Sequence, residues 1–171
     1  MFQKKQNGFT LIMSMILLLV LTMLGLAAAK TTRLEMAMAG NMRNSDMSFQ
    51  AAEVGLTAAE AFIEASHSKT EYNDSSGLIS NLSADPDYFD STTWDNVRVA
   101  DVSLPGVTAP PKFIIKYLGD RSQNEVAMVN IGGYGSQQPG FTVSNFRVTA
   151  KGFGQTVNAG RTLQSYYGKS F

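Results

Sequence analysis

Gly8-Phe9-Thr10-Leu11-Ile12 opens a run without a single charge that continues through Met13 and ends at Ala29. A basic octapeptide carrying Lys4 and Lys5 precedes it, and Lys30 and Arg33 come after it. The 21 residues from Phe9 to Ala29 are rich in Leu, Met and Ile. At a rise of about 1.5 Å per residue they make a helix of about 30 Å, the thickness of a bilayer's hydrocarbon core. A secretory signal has a shorter apolar core, roughly 7–15 residues, with a small-residue cut behind it. Ala27-Ala28-Ala29 imitates such a cut. However, the run is too long for a signal, and helical spacing continues through the alanines. Gly8, which has no side chain to hinder entry into a protease cleft, offers the better-defined cut before the run. Lys4 and Lys5 hold the leader on the cytoplasmic side and place the chain beyond Lys30 outside.

The helical signal does not stop at the charges. Leu34, Met38, Met42 and Phe49, then Ala52, Leu56, Ala59 and Ile63, recur at steps near 3.6, with Arg33, Asn41, Arg43, Asn44, Asp46, Glu53 and Glu60 opposite. The spacing predicts one helix of roughly 55 residues, apolar all round in its first half and amphipathic in its second. Gly25, Gly40 and Gly55 are its weak positions, each costing about 1 kcal/mol relative to alanine. The second half needs a sheet to cover its stripe.

These residues resemble the type IV pilin and pseudopilin family, whose members begin with a short basic leader ending in Gly before Phe-Thr-Leu-Ile. PilX-type minor pilins are the nearer likeness, through Leu17-Leu18-Leu19-Val20-Leu21-Thr22, Leu24-Gly25-Leu26-Ala27-Ala28 and Thr31-Thr32-Arg33-Leu34-Glu35. Met38-Ala39-Gly40-Asn41-Met42-Arg43 and Phe49-Gln50-Ala51-Ala52-Glu53-Val54-Gly55-Leu56 carry it further. It recurs at Phe146–Gly152 and Thr162–Tyr166, and residues 66–140 carry no match. The resemblance implies a prepilin peptidase cutting after Gly8, methylation of Phe9, a single pass through the inner membrane, and extraction into a filament at the cell surface. Its implied partners are other major and minor pilins, reached through the assembly helix that begins Phe9-Thr10-Leu11-Ile12-Met13. Position 13 is where such chains usually carry a glutamate thought to pair with a neighbour's amino terminus. Met13 offers no carboxylate, which the family associates with placement at or near the tip, or in a priming complex.

The expected organisation is thus a leader over residues 1–8, a transmembrane and assembly helix over 9–29, its amphipathic continuation over 30–65, and a globular domain over 66–171. Within that domain Ser66 to Asp95 is polar and aperiodic, a loop of the length that is often functional or mobile. Asp85-Pro86-Asp87-Tyr88-Phe89-Asp90 spaces carboxylates somewhat like a calcium loop but lacks the central glycine and closing glutamate, so it reads as an acidic surface loop. Strands are expected at Val97–Val102, Lys112–Leu118, Glu125–Ile131, Phe141–Phe153 and Thr156–Tyr167. The last two form a hairpin near Gly154-Gln155, while Leu104-Pro105-Gly106 and Pro110-Pro111 break the chain between the first two. A long helix leading into such strands gives an α+β, pilin-like fold, with the helix packed on an antiparallel sheet.

The formal net charge of zero gives no global field for nucleic acid or anionic lipid. The charges are nevertheless segregated. Glu71, Asp74, Asp85, Asp87, Asp90, Asp95 and Asp101 make the middle acidic; Lys112, Lys116, Arg121, Arg147, Lys151, Arg161 and Lys169 make the last third basic. A solvated mixed surface is the expectation. No cysteine is present, which excludes disulfides and thiolate chemistry. His67 is the one histidine and no serine has a histidine–carboxylate frame, so no catalytic, cofactor or metal site is assigned. Gly132-Gly133-Tyr134-Gly135-Ser136 lacks the lysine of a phosphate loop. A structural role in pilus assembly is the leading reading. The alternatives are a minor pseudopilin of a type II secretion system and an adhesion module carried on the pilus, using residues 66–95.

Overall fold

A computed structural model describes residues 9–122 and 142–171. The expected strand Glu125–Ile131 and the glycine-rich loop at 132–136 lie outside the described residues. The chain divides into two units, Met1–Arg43 and Asn44–Phe171. One uninterrupted helix, α1, runs Phe9–Ala65, 57 residues long. Every residue of α1 from Phe9 to Arg43 is exposed.

In the second unit the helix packs on a sheet of five described strands: β1 (Leu78–Ile79), β2 (Arg98–Val99), β3 (Lys112–Ser122), β4 (Thr142–Phe153) and β5 (Gly160–Lys169). Their order is β1-β3-β4-β5, with β2 also on β3. The long strands β3, β4 and β5 form an antiparallel run, and β2 is antiparallel to β3. β1 departs from the expectation of a purely antiparallel sheet. It joins β3 in parallel, Leu78 opposite Ile115 and Ile79 opposite Lys116.

Three other expectations are corrected. The strand foreseen at Val97–Val102 is two residues long, because Val102 N already turns back to Ala100 O. The last hairpin does turn at Gly154-Gln155 but through a longer loop, residues 154–159, tied by Gly154 N to Ala159 O, so β5 starts at Gly160 instead of Thr156. The helix stripe is also different in kind. Its buried members are Ser48, Ala51, Ala52, Gly55, Ala59 and Ile63, whereas Phe49 is exposed and Leu56 only partly covered.

Small side chains are selected because the helix lies almost on the backbone of β4. A Cβ on Gly152 would run into the main chain of Ser48, Ala51 and Ala52, and one on Gly154 into Asn44. Gly55 faces Ala150 Cβ and Pro111 Cβ, each 3.1 Å from where its own Cβ would stand. The bulky core fills the space further along, where Ile63, Tyr72, Leu78, Phe113, Ile115, Phe146 and Val148 cluster. Tyr72, Tyr117 and Phe146 stack as a tilted aromatic trio, centroids 4.9–6.3 Å apart.

Polar links fasten the same helix to β5, in the same order along both. Arg161 donates to Ser45 Oγ at 2.7 Å, Ser165 to Glu60 at 3.3 Å, and Tyr167 to Glu64. Lys169 Nζ then donates to the carbonyls of Ile63, Glu64 and Ser66 at 2.7–2.8 Å. The last turn of α1 has no basic residue of its own, so Lys169 supplies the cation its dipole favours. Asn44, expected on the solvent side, is half-buried and accepts from Gln155 N at 2.6 Å.

Candidate assembly surface

The first turn of α1 holds the residues singled out at the amino end. Phe9, Leu11, Ile12 and Met13 lie in α1 and all expose more than half of their surface. Thr10 is exposed beside them; Gly8 lies outside the described residues. The surface continues without interruption through Met15, Ile16, Leu17, Leu18, Leu19 and onward to Leu26. A window of this helix has a mean hydropathy of 2.6, and the helix is long and apolar enough to cross a membrane. Such a face is stable only where other apolar groups cover it, in lipid or among like helices.

Its few polar side chains are already satisfied. Ser14 and Thr22 donate to Leu11 O and Leu19 O at 2.8 Å, and Thr31 and Thr32 to Ala27 O and Ala28 O at 3.1 Å. Each hydroxyl bonds one turn back on its own helix, so none needs water. Reading the sequence for apolar length missed these bonds, although Ser and Thr inside an apolar helix are the signal for them. Gly25 and Gly40 have no atom within 4 Å of a would-be Cβ, which leaves a shallow step on the outside of the helix at each.

One acid of the middle meets two cations of the last third, while Asp87, Asp90, Asp95 and Asp101 stay exposed on a solvated surface. Asp85 pairs with Lys116 at 2.5 Å and with Arg147, and Lys69 pairs with Asp120 at 2.6 Å. Lys116, hydrogen-bonded to Asp85, holds that carboxyl below its ordinary value. Asp87 accepts from Phe89 N at 2.9 Å and Asp90 from Thr92 N at 3.0 Å, so the stretch reminiscent of a calcium loop spends its carboxylates on local turns and sheet cations. Among the described residues no group of three His, Asp or Glu is arranged to hold a metal ion. His67 is exposed at the helix end, where its N–H donates to Glu71 at 3.2 Å.

Asp120 is the other focus of the domain. Its carboxylate accepts from Lys69, Ser144 and Tyr117 at 2.6–2.7 Å. Those three donors, Lys69 foremost, bring its pKa down to about 2, and burial together with the Asp120 bond pushes the Tyr117 phenol up to about 12. Its donors come from β3, from β4 and from the 3-10 turn Lys69–Glu71, so the carboxylate ties these three elements together.

Comparison with known proteins adds what geometry cannot. No curated protein and no solved structure matches the chain. Two family descriptions do match: PilX N-terminal over residues 7–57, and type IV pilus assembly protein PilX C-term over residues 67–169. The second covers the middle of the chain, where the residues alone carried no resemblance. With both the helix and the domain accounted for in this way, the chain belongs to the PilX family of type IV pilus assembly proteins.

Proposed function

We propose that this chain is a minor pilin, a structural and non-enzymatic subunit cut by prepilin peptidase after Gly8 and methylated on Phe9. The observation that carries the reading is the segment beyond the predicted cut: residues 9–29 lie in α1, uncharged and exposed throughout, in a helix long and apolar enough to cross a membrane. Before assembly this surface sits in the inner membrane as a single pass; afterwards it packs among the helices of other major and minor pilins. Met13 supports placement in the priming or tip complex, since a thioether cannot offer a neighbour's amine the charge partner that a carboxylate would. The family match favours a pilus over a type II secretion machine.

Mass spectrometry of the protein purified from membranes tests this directly, with an N-methylated chain starting at Phe9 as the expected product. An intact Met1, or a chain starting at Lys30, overturns it. Gly8→Leu is expected to block maturation and reduce piliation.

A second reading, a ligand-binding module carried by the pilus, draws on one observation. Leu82 and Phe89 in the polar loop are almost fully exposed, at 93% and 95%. Replacing both by serine is expected to abolish adhesion with pili intact if this loop binds a surface; loss of pili instead favours the assembly role.

A further inference from the structure

The outer face of β3 and β4, turned away from α1, carries two pairs of like charges set directly across from each other. Lys112 stands opposite Lys151 and Lys116 opposite Arg147, with Ile114 and Thr149 between them. Cations in direct cross-strand register repel, and alternation puts all four on one face. Residues 80–96 form a strap across that face. Their backbone hydrogen bonds among the described residues are local: Asp90 to Asp87, Trp94 to Ser91 and Asp95 to Thr92. Among the described residues the polar ties from the strap to the sheet are these cations, beside the buried Trp94. Lys116 Nζ donates to Ser83 O at 2.8 Å and to Asp85, and Arg147 donates to Asp85. Lys112 Nζ donates to Trp94 O at 2.6 Å, and Lys151 Nζ lies 5.3 Å from the centre of the buried Trp94 ring.

Asp85 therefore occupies a built oxyanion site. Lys116 is 8% exposed, a burial that an ammonium tolerates only beside a negative charge. The site is also incompletely filled. Among the described residues Arg147 reaches Asp85 through Nη2 alone, and its Nε is buried without a partner. Two residues along the same face, Thr149 is 3% exposed and its hydroxyl is likewise unpartnered. A guanidinium binds a carboxylate best through two parallel N–H groups. Asp85 itself remains about half exposed on its short side chain, at 48%.

We propose that Lys116 and Arg147 form a carboxylate-binding site that Asp85 occupies in cis, and that an acidic segment of a second protein can take its place. The occupant is a carboxylate because that is the group the site already holds. It is a protein segment, not a small anion, because the second cation pair, Lys112 and Lys151, lies four residues away on the same face and, among the described residues, meets the Trp94 carbonyl and the Trp94 and Phe153 rings but no carboxylate. Exchange would lift the strap, including Leu82 and Phe89, from the sheet.

The test uses the full chain in detergent micelles and hexaglutamate as the probe. Asp85→Asn is expected to speed amide exchange across residues 80–95 by about tenfold while β3 and β4 stay protected. It should bind hexaglutamate at least about tenfold more tightly than the parent chain, a gain that Arg147→Gln added to it removes. In the parent chain, raising salt to about 0.5 M should loosen the strap alone, since screening weakens the ties that hold it. Unchanged exchange in both Asp85→Asn and high salt overturns the proposal, as does equal hexaglutamate binding with and without Asp85. Binding of a single-stranded oligonucleotide in place of hexaglutamate overturns the protein-segment assignment. If Asp85→Asn loses protection in β3 and β4 as well, the parent chain decides, because saturating hexaglutamate must loosen residues 80–95 or the proposal fails.

Discussion

The two halves of α1 share one backbone and obey opposite rules. From Phe9 to Arg43 the side chains are mostly large and wholly exposed; from Ser48 to Ala59 the buried ones are Ser, Ala and Gly. In the first half Leu, Met and Ile project far from the axis, which suits lipid or the ridges and grooves of neighbouring helices. In the second half the partner is the chain's own β4, and its backbone comes so near that only small residues fit. Bulk is useful where the partner can adapt. Closeness is useful where the partner is a single fixed strand.

The contrast breaks most sharply at Gly152. Alanine there puts a Cβ into the main chain of Ser48, Ala51 and Ala52, so helix and sheet must separate. The expected loss is about 3 kcal/mol, seen as a lower Tm in near-ultraviolet circular dichroism of the detergent-solubilised chain. Retention of the parent Tm would show that the small-residue stripe is incidental.

A matched pair of glycines sharpens the comparison. Gly40→Ala meets nothing and gains helix propensity, so its effect on the isolated subunit is a stabilisation of up to about 1 kcal/mol. Gly55→Ala gains the same propensity but must push back Ala150 and Pro111 from 3.1 Å, so its Tm should be lower than that of Gly40→Ala. In filaments the order should reverse if the step at Gly40 receives a neighbouring helix, with piliation falling in Gly40→Ala. Equal Tm values for the two would mean that the domain yields at Gly55 without cost.

The smallest effect concerns acid. The Asp120 carboxyl titrates near 2 in the folded chain against an ordinary 3.8. Its contribution is therefore complete above about pH 4 and disappears as pH falls toward about 2. Asp120→Asn should lower Tm at neutral pH and flatten the fall of Tm between those limits. Residues 9–43, which make no hydrogen bond to Asp120, should keep their helical signal throughout.

The legibility of this molecule divides along the same line. A run of 21 uncharged residues is a local signal, and it foretold the apolar helix over residues 9–29. Apolar spacing also foresaw that the helix continues to Ala65. It found Ala52, Ala59 and Ile63 on the buried face, but because it looked for bulk it counted Phe49 as core and passed over Ser48 and Gly55. The recurrence of Ser, Ala and Gly at 48, 51, 52, 55 and 59, echoed by Gly152 and Gly154, was the available sign of close approach. The strap was illegible for a different reason. Leu78–Ile79 is too short to show a period, and Asp85 finds Arg147 across 62 positions, where charge counts alone only mark the middle acidic and the end basic. Gly8 and the pairing role of position 13 rest on resemblance, which no local pattern can replace.

The rungs between α1 and β5 have a mechanical consequence. Arg161, Ser165, Tyr167 and Lys169 meet the helix in order from Ser45 to Ser66. A pull along the helix loads these links side by side, in shear, with the Gly152 contact acting as a detent against sliding. Rupture then requires several bonds to fail together, where a peeling joint would lose them one at a time. The domain is built to yield late under tension and all at once.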